Sequence, residues 1–459
     1  MSNLNLRVSL FAVVFSACSI ATAFADSQVR IVRLSTVEGS VQVNRTDGPG
    51  YEKAMLNLPI TQGAKLRTQS DGRAEVEFED GSTLRLAPDS VVDLTQLSLR
   101  DSGSKISEVN LQSGTLYVNF AAAKNDELTL TFGKEKLALT HSAHLRVEMA
   151  QDGITVAVFK GDVEVQGPAG TVSVAKNRTA VFSSSNNDSS NNDSSNNEHA
   201  TVTKNLEPDP YDAWDKQQQQ YHERYSTTAS TGYSPYSYGG ADLNYYGNFF
   251  SAPGYGTLWQ PYFAGAGWDP FMNGAWSFNS GAGFGWVSSY PWGWTPYHSG
   301  NWVFVPSYGW AWQPGGTWVG LNAVPRVVNP PRQFVAPQPP SSGVKTVAVN
   351  RGPLPVVAGG SANKLVIRND SAGLGLPRGG IKNPAKVSQS VAQSGSVTAR
   401  IHTAPIERSM PQSRASYGDR RPASRPSSPA SSYPVTMAPA PRAPSPAPSV
   451  HASGGGVKH

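Results

Sequence analysis

The chain has 459 residues and a formal net charge of +5, and Cys18 is its only cysteine. A single cysteine excludes a disulfide framework, so any fold must rest on its own core. The 44 Gly and 35 Pro make up about 17% of the residues, above the ~12% of average proteins. This excess is regional, so the composition has to be considered segment by segment.

The charge is also unevenly distributed. Residues 326–459 contain 17 Lys and Arg against 3 Asp and Glu, a net charge of +14, which leaves −9 for residues 1–325. An acidic body with a basic tail suits an anionic partner in a cell envelope, although the tail can equally be a solvated spacer. Aromatic residues are not interleaved with the arginines, so we expect no nucleic acid partner.

Residues 1–25 predict a secretory signal peptide. Arg7 supplies the positive region, an apolar run spans 8–20, and the small residues Ala23 and Ala25 form a cleavage site. The run of about 13 residues is shorter than the ~20 that a membrane span needs. Cleavage after Ala25 leaves a mature protein without cysteine. The protein is therefore expected to be exported, to the periplasm, the outer envelope or the medium.

Two alternatives to cleavage remain open. An uncleaved signal would act as a membrane anchor, and the stretch Phe15-Ser-Ala-Cys18 loosely resembles a lipoprotein cleavage box, which would place a lipid on Cys18. We expect membrane association only in these two cases.

Residues 29–182 alternate apolar and polar residues in short stretches, as in Ala74-Glu-Val-Glu-Phe78 and Leu128-Thr-Leu-Thr-Phe132. This period of two is typical of half-buried strands, and glycine turns such as Asp80-Gly81 separate the stretches. The pattern predicts an all-β domain, either a sandwich or a solenoid, and about 150 residues suffice for one core.

The stretch from Gly63 to Leu94 resembles the FecR-type domain, an all-β extracytoplasmic module, over about residues 31–182. The resemblance rests on Gly63-Ala-Lys-Leu-Arg-Thr68, Asp80-Gly-Ser-Thr-Leu-Arg-Leu86 and Val158-Phe-Lys-Gly-Asp-Val-Glu-Val165. The stretch Thr140-His-Ser-Ala-His144 departs from the family pattern at one turn. In the iron-siderophore regulators that give the family its name, a cytoplasmic anti-sigma segment and a membrane span precede this domain, whereas here the signal peptide leads to Val29.

The regions after this domain differ in composition. Residues 183–208 include a repeat of Asn, Asp and Ser without apolar residues, which predicts a disordered linker. Residues 209–225 predict a short helix with Asp209 as its cap and Pro210 at its first position. Residues 226–253 are of low complexity, and residues 325–459 form a Pro-, Ser- and Arg-rich tail that we expect to be disordered.

Residues 254–320 form a Trp/Tyr/Gly repeat region. Ten of the 11 tryptophans lie between Trp259 and Trp318, and the segment from Trp268 to Trp276 recurs 26 residues later as Trp294 to Trp302. With the Trp214 segment, these repeats resemble those that uncharacterised bacterial proteins append to a FecR-type domain, which implies an envelope-associated, non-enzymatic role. Whether the region folds independently or self-assembles is left open.

The aromatic rings have two interpretations. Most of them can form the core of a small β-domain, since each brings about 150–250 Å² of buriable surface. Alternatively, some stay exposed and stack on sugar rings, and the candidates for such ligand-stacking residues are Trp292, Trp294, Tyr297 and Trp302.

We identify no catalytic, cofactor-binding or metal-binding residue. His141 and His144 are three apart, so on a strand they point to opposite faces and favour an ordinary polar pair over a metal site. The sequence lacks a nucleophile elbow, a phosphate loop and a metalloprotease motif. We therefore expect no enzyme and no cofactor.

The sequence favours an exported, non-enzymatic envelope protein that binds or scaffolds, with polysaccharide, peptidoglycan or another envelope protein as partner. The alternative is an extracytoplasmic signalling or sensor module of the FecR type, and an envelope enzyme is the least favoured. The oligomeric state is not determined by the sequence.

Overall fold

A computed structural model describes residues 29–184, 198–226, 234–261, 268–341 and 347–350, except positions 47, 49, 124, 152, 169, 235, 307 and 325. The predicted signal peptide, residues 185–197 of the predicted linker and the predicted tail beyond residue 350 lie outside these described residues.

The FecR-like region is a β-sandwich of 17 strands. They are β1 (Val32–Glu38), β2 (Val41–Asn44), β3 (Tyr51–Lys53), β4 (Pro59–Ile60), β5 (Lys65–Thr68), β6 (Arg73–Glu77), β7 (Thr83–Leu86), β8 (Val91–Leu99), β9 (Lys105–Phe120), β10 (Glu127–Phe132), β11 (Glu135–Leu139), β12 (Ala143–Ala150), β13 (Gly153–Lys160), β14 (Val163–Gly167), β15 (Gly170–Val174), β16 (Arg178–Ser184) and β17 (Glu198–Thr203).

The strands divide into two sheets. Sheet A has the order β4-β1-β6-β7-β9-β12-β13-β16-β17 and is antiparallel throughout. Sheet B has the order β3-β2-β5-β8-β9-β10-β11-β14-β15, in which only β9 and β10 are parallel. The prediction of an all-β sandwich or solenoid is confirmed.

Strand β9 belongs to both sheets. It pairs with β8 in sheet B up to Ser113 and with β12 in sheet A from Gly114 onward. Gly114 has a φ of +83°, and a Cβ there would lie 2.6 Å from the carbonyl oxygen of Asp89. Only glycine fits this crossing point, because other residues would meet both backbone strain and a clash.

The core lies between the two sheets. The alternation seen in the sequence points one face of each strand inward, where the aliphatic side chains of Leu84, Leu116, Val118 and Leu130 are fully buried. Burial of this kind is the main favourable term in folding. The second face of each strand points away from the core, and on sheet A that outer face carries charged residues.

Two predictions for residues 183–225 need correction. Residues 198–203 are not a disordered linker, because β17 pairs with β16 along its whole length. Helix α1 spans Asp212–Tyr225, inside the predicted range, but Asp209 does not cap it: the cap position is Tyr211, which makes no side-chain capping bond. The Asp209 carboxylate instead accepts hydrogen bonds from the Tyr211 amide and the Tyr117 hydroxyl, both at 2.7 Å.

A second compact part, here called the aromatic module, follows α1. Its elements are α2 (Gly240–Tyr246), β18 (Gly247–Ala252), β19 (Gly256–Pro261), β20 (Asn273–Asn279), β21 (Gly283–Ser288), α3 (Thr295–His298), β22 (Asn301–Val305), β23 (Gly309–Gln313), β24 (Arg326–Val328) and β25 (Val347–Asn350). The module is therefore wider than the predicted 254–320, and it includes residues predicted as low complexity and as tail.

The sequence repeats correspond to hairpins. Each of three hairpins pairs two aromatic residues that are ten positions apart: Phe249 with Trp259, Trp276 with Trp286, and Trp302 with Trp312. One five-stranded sheet (β18-β19-β23-β22-β24) and one three-stranded sheet (β21-β20-β25) carry them. The 26-residue sequence repeat thus corresponds to the spacing along the chain between Trp276 and Trp302, which occupy equivalent positions in two hairpins.

Glycine permits the close packing of these rings. A Cβ at Gly247 would lie 2.3 Å from the Trp259 ring, and one at Gly274 would lie 2.4 Å from the Trp286 ring. Neither glycine has a positive φ, so glycine is needed here for the close approach of a ring to the backbone rather than for turn geometry.

Among the described residues, no helix is long and apolar enough to cross a membrane.

Candidate functional site

The outer face of sheet A carries a row of buried polar residues. Glu75, Arg85, Tyr117 and Arg146 lie opposite one another on β6, β7, β9 and β12. None is more than 1% exposed. Charged residues are almost never fully buried unless they are paired, so this face must be covered by partners of opposite charge.

Helix α1 covers the row and provides those partners. Arg85 lies between two carboxylates, with Nε 2.7 Å from Glu75 and Nη1 2.7 Å from Asp215. The second oxygen of Asp215 is 2.8 Å from Nε2 of His144, and His222 Nε2 is 2.8 Å from Glu75. The helix is therefore attached to sheet A by a chain of alternating charges.

The start of α1 is held by a second group of contacts. Arg146 donates to Asp212 at 2.6 Å and to the carbonyl oxygen of Glu207 at 2.7 Å. The Tyr117 hydroxyl lies 2.7 Å from Asp209 and 3.0 Å from Asp212. Burial raises the pKa of Tyr117 far above its usual value, and the two carboxylates that face the hydroxyl raise it further.

Arg33 joins the sandwich to the aromatic module and, through Asp242, to α1. Its guanidinium donates to Glu77 at 3.0 Å, to the Asn57 side chain at 3.0 Å, to the Pro291 carbonyl at 3.0 Å and to Asp242 of α2. Asp242 also accepts a hydrogen bond from the Tyr221 hydroxyl of α1, at 2.6 Å. One buried cation thus connects three parts of the chain.

We call the charged residues at this interface the latch cluster; they are Arg33, Glu75, Glu77, Arg85, His144, Asp215, His222 and Asp242. Its two guanidinium groups face four carboxylates, so the cluster carries a net charge of −2 while both histidines are neutral. Protonation of His222 reduces this net charge to −1. A buried cluster of this kind favours the protonated form of His222, because an uncompensated buried charge is costly.

The pKa shifts follow this arrangement. Burial alone would raise the pKa of Glu75, but the charges of His222 and Arg85 hold it well below its usual value. Burial would lower the pKa of His222, but Glu75 and Glu77 raise it above its usual value. Burial raises the pKa of Glu77 despite the neighbouring Arg33. The cluster therefore stabilises Glu75 as the carboxylate and His222 as the imidazolium.

The far end of α1 also packs through aromatic rings. Tyr221 and Tyr225 contact Tyr245 of α2, with ring centroids 5.4 and 4.9 Å apart. In the first turn of α1, the guanidinium of Arg73 lies over the ring of Trp214, 5.3 Å from the ring centroid. Helix α1 thus lies between the charged face of the sandwich and the aromatic module.

The aromatic module covers the β3/β4 end of the sandwich. Asn57, in the turn before β4, donates to the carbonyl oxygens of Ser288 and Tyr290 at 3.0 and 2.7 Å. Arg45 donates to the Phe278 carbonyl at 2.7 Å, and Val287 packs into the aliphatic core of the sandwich. The two parts share an interface that is both polar and apolar.

The predicted ligand-stacking residues are not exposed. Trp292, Trp294, Tyr297 and Trp302 are at most 2% exposed. Tyr290 stacks on Trp292 at 4.8 Å, and His298 lies 3.9 Å from the ring of Trp294. The expectation of exposure is wrong because these rings fill the core of the module, which was the other interpretation of the sequence.

The two histidines of the 140–144 turn differ in environment. His144 faces α1 and contacts Asp215, whereas His141 is exposed and its Nδ1 lies 3.0 Å from the Thr140 hydroxyl. Among the residues described here, no group of three or more His, Cys, Asp or Glu side chains could hold a metal ion.

The sequence analysis missed the latch cluster. On half-buried strands, outward-facing charges such as Glu75 and Arg85 look the same whether water or a helix covers them. The signal was in α1, where Asp212, Asp215, Gln219 and His222 recur at spacings of three and four residues. Such spacing places them on one face of a helix, and a polar face can be the buried one when the sheet opposite is charged.

Two family models match the chain. Residues 64–164 match "FecR protein", and residues 240–330 match "Family of unknown function (DUF6600)". The resemblance to a FecR-type domain is confirmed, and the second match covers most of the aromatic module. No curated protein matches the chain.

Two crystal structures from Parabacteroides distasonis, each described as a "putative anti-sigma factor", at 1.65 and 2.50 Å resolution, are similar to part of the chain. Both are 16% identical, with TM-scores of 0.27 and 0.26. Each match covers 33% of this chain and 63% of the other, so the chain spans less than two thirds of these proteins.

Proposed function

We propose that this protein is an exported, non-enzymatic sensor module of the FecR type, and that the contact between α1 and sheet A is the part that changes when it signals. The observation that carries the proposal is the latch cluster. Helix α1 is held on the FecR-like domain by buried ion pairs, Arg85 to Asp215 and Glu75 to His222, at 2.7 and 2.8 Å.

Buried ion pairs suit a reversible contact. Replacing such pairs by apolar residues often stabilises a protein, so they are weak evidence for a purely structural role, and their best-attested use is in specifying one arrangement over another. Loss of one partner leaves a buried charge behind and favours a second arrangement. The match to a FecR-type domain supports a signalling role more strongly than a role as a glycan scaffold. The four proposed stacking residues are buried, which weakens the case for glycan binding.

The experiment compares Asp215→Asn with Lys216→Gln in the full-length gene, in the organism of origin. Asp215 pairs with Arg85 and His144, whereas Lys216, the next residue, is exposed. Hydrogen exchange of the purified variants reports whether α1 is released. Transcript profiling of the two strains reports whether a defined set of genes responds to that release.

A sensor requires faster exchange in α1 and a changed transcript set for Asp215→Asn only. If α1 is released but transcripts match the parent strain, the signalling proposal is wrong. Binding of the purified protein to peptidoglycan would then favour the scaffold.

A further inference from the structure

The edge strands at the two ends of the sandwich have different surroundings. At one end the edge strands are β3 and β4, and the turn between them is bonded through Asn57 to the aromatic module. At the other end the edge strands are β15 and β17. Within the described ranges, β17 pairs with β16 and no strand pairs with its second edge.

Between the charged positions 198 and 204 at its two ends, strand β17 has none of the proline, lysine or bulge features that protect an edge. Protected edges are very short or carry proline, lysine or a bulge. β17 has six residues, reads Glu-His-Ala-Thr-Val-Thr, and pairs with β16 without a register shift. By contrast, Pro168 lies two residues before β15. β17 is therefore available for pairing with another chain.

The core of the sandwich continues onto β17. Val202 lies opposite Ala180 and Ala200 lies opposite Phe182, and both partners are core residues. Even so, Val202 is 37% exposed, whereas Ala180 is fully buried. An added strand would complete the burial of this apolar position.

We propose that β17 pairs antiparallel with β17 of a second copy of this chain, about a two-fold axis at Thr201. Opposite residues of an antiparallel pair share one face of the sheet. To keep the core face continuous, Ala200 and Val202 must therefore lie opposite residues of the same face. The axis at Thr201 places Ala200 opposite Val202 in both halves and Thr201 opposite itself.

The neighbouring registers are worse. An axis at Ala200 places Val202 opposite the acidic residue 198, and an axis at Val202 places Ala200 opposite the basic residue 204. With the axis at Thr201, the acidic residue 198 lies opposite the basic residue 204 in both halves. This complementarity of charge along the sequence favours a second copy over an unrelated strand.

The dimer is expected to be reversible. Stable interfaces bury about 800 Å² on each partner, and one pair of six-residue strands offers less. Self-association should therefore depend on concentration, and it is independent of the proposed signalling role.

Sedimentation velocity of the protein from Asp26 to His459 over a hundredfold range of concentration tests the contact. We expect a monomer–dimer equilibrium for the parent protein and for Thr171→Lys on β15. Val202→Lys should remain monomeric throughout. A parent protein that is monomeric at every concentration overturns the proposal, and so does a Val202→Lys protein that dimerises like the parent.

Cysteine cross-linking tests the register, because the protein from Asp26 onward has no other cysteine. Thr201→Cys places two thiols opposite each other, where Cβ atoms lie about 4.5–5.5 Å apart. Thr203→Cys places them four residues out of register, about 13 Å along the strand, beyond the ~7 Å limit between Cα atoms of a disulfide. A short thiol cross-linker should join Thr201→Cys at least tenfold faster. Equal rates, or a faster Thr203→Cys, overturn the register.

Discussion

The latch cluster and the aromatic core are both buried, but different forces hold them. In the latch cluster, guanidinium, carboxylate and imidazole groups alternate at distances of 2.7–3.0 Å. In the aromatic core, rings such as Trp276 and Trp286 contact edge to face with centroids 5.3 Å apart. Ring contacts add to burial wherever shapes fit, whereas charge contacts stabilise only while every partner is present.

Each region contains a histidine with a shifted pKa, and the two shifts have opposite directions. His222 lies between Glu75 and Glu77, which raise its pKa above the usual value. His298 lies between the rings of Trp294 and Trp318, and burial lowers its pKa to about 4. The direction of the pKa shift of a buried histidine therefore shows whether its surroundings supply a compensating negative charge.

The largest effect is expected where the two regions meet, at Arg33. Arg33→Met leaves Glu77 and Asp242 buried without their shared cation, a loss expected to cost about 3–5 kcal/mol. Urea unfolding followed by tryptophan fluorescence measures it. Arg100→Met removes an ion pair whose side chains are 42% and 30% exposed, and should cost under about 1 kcal/mol. Equal losses for the two variants would show that Arg33 does not join the regions.

The next largest effect is the loss of stability at acidic pH that we expect from His298. In the unfolded chain His298 takes up a proton near pH 6.5, whereas in the folded protein its pKa is about 4. Its contribution is complete above pH 6.5 and is lost as the pH falls through that window, by about 3 kcal/mol in all. His298→Phe keeps a ring between Trp294 and Trp318 without titrating. The stability difference between parent and variant should therefore shrink or reverse from pH 7 to pH 4, and a constant difference would contradict the assignment.

A smaller effect is expected from overpacking a single glycine. The added Cβ of Gly274→Ala meets the Trp286 ring at 2.4 Å and the Val287 carbonyl oxygen at 2.6 Å, which should cost about 1–3 kcal/mol. The matched control is Gly320→Ala, where the nearest atom lies at 3.4 Å and the φ is not positive. Thermal unfolding of both variants measures the difference. A Gly274→Ala variant as stable as Gly320→Ala would show that the ring can move away.

Much of the sandwich could be predicted from the sequence, since inward residues such as Leu84 and Val118 alternate with polar ones. Glycine and aspartate mark its turns. Strand β17 was missed because residues 198–203 follow a polar repeat, and only their register with β16 shows that they belong to the sheet. A pairing partner that precedes a strand by 20 residues is not visible in local composition.

The candidate site was less predictable. Exposure of Trp292 and Trp302 could not be judged from the repeat, because an aromatic ring can serve equally in a core or on a binding surface. The latch cluster depends on Asp215 contacting Arg85, two residues 130 positions apart. Only the three-dimensional structure shows that α1 and sheet A present their charged faces to each other.

The smallest expected effect concerns His222, whose contribution to stability depends on pH in the opposite sense to that of His298. The groups that face His222 are Glu75, Glu77 and Arg85, and together the two carboxylates raise its pKa. Its contribution is therefore complete below pH 6.5 and is lost as the pH rises through the folded pKa. Burial opposes the two carboxylates and offsets part of this gain.

His222→Gln removes the titrating group and keeps an amide that can bond to Glu75. The loss of stability relative to the parent should be greatest near pH 6 and should narrow toward pH 9. Unfolding midpoints in urea across that range provide the measurement. A loss that grows with pH would mean that His222 is neutral in the folded protein, and the latch cluster would then retain its negative charge.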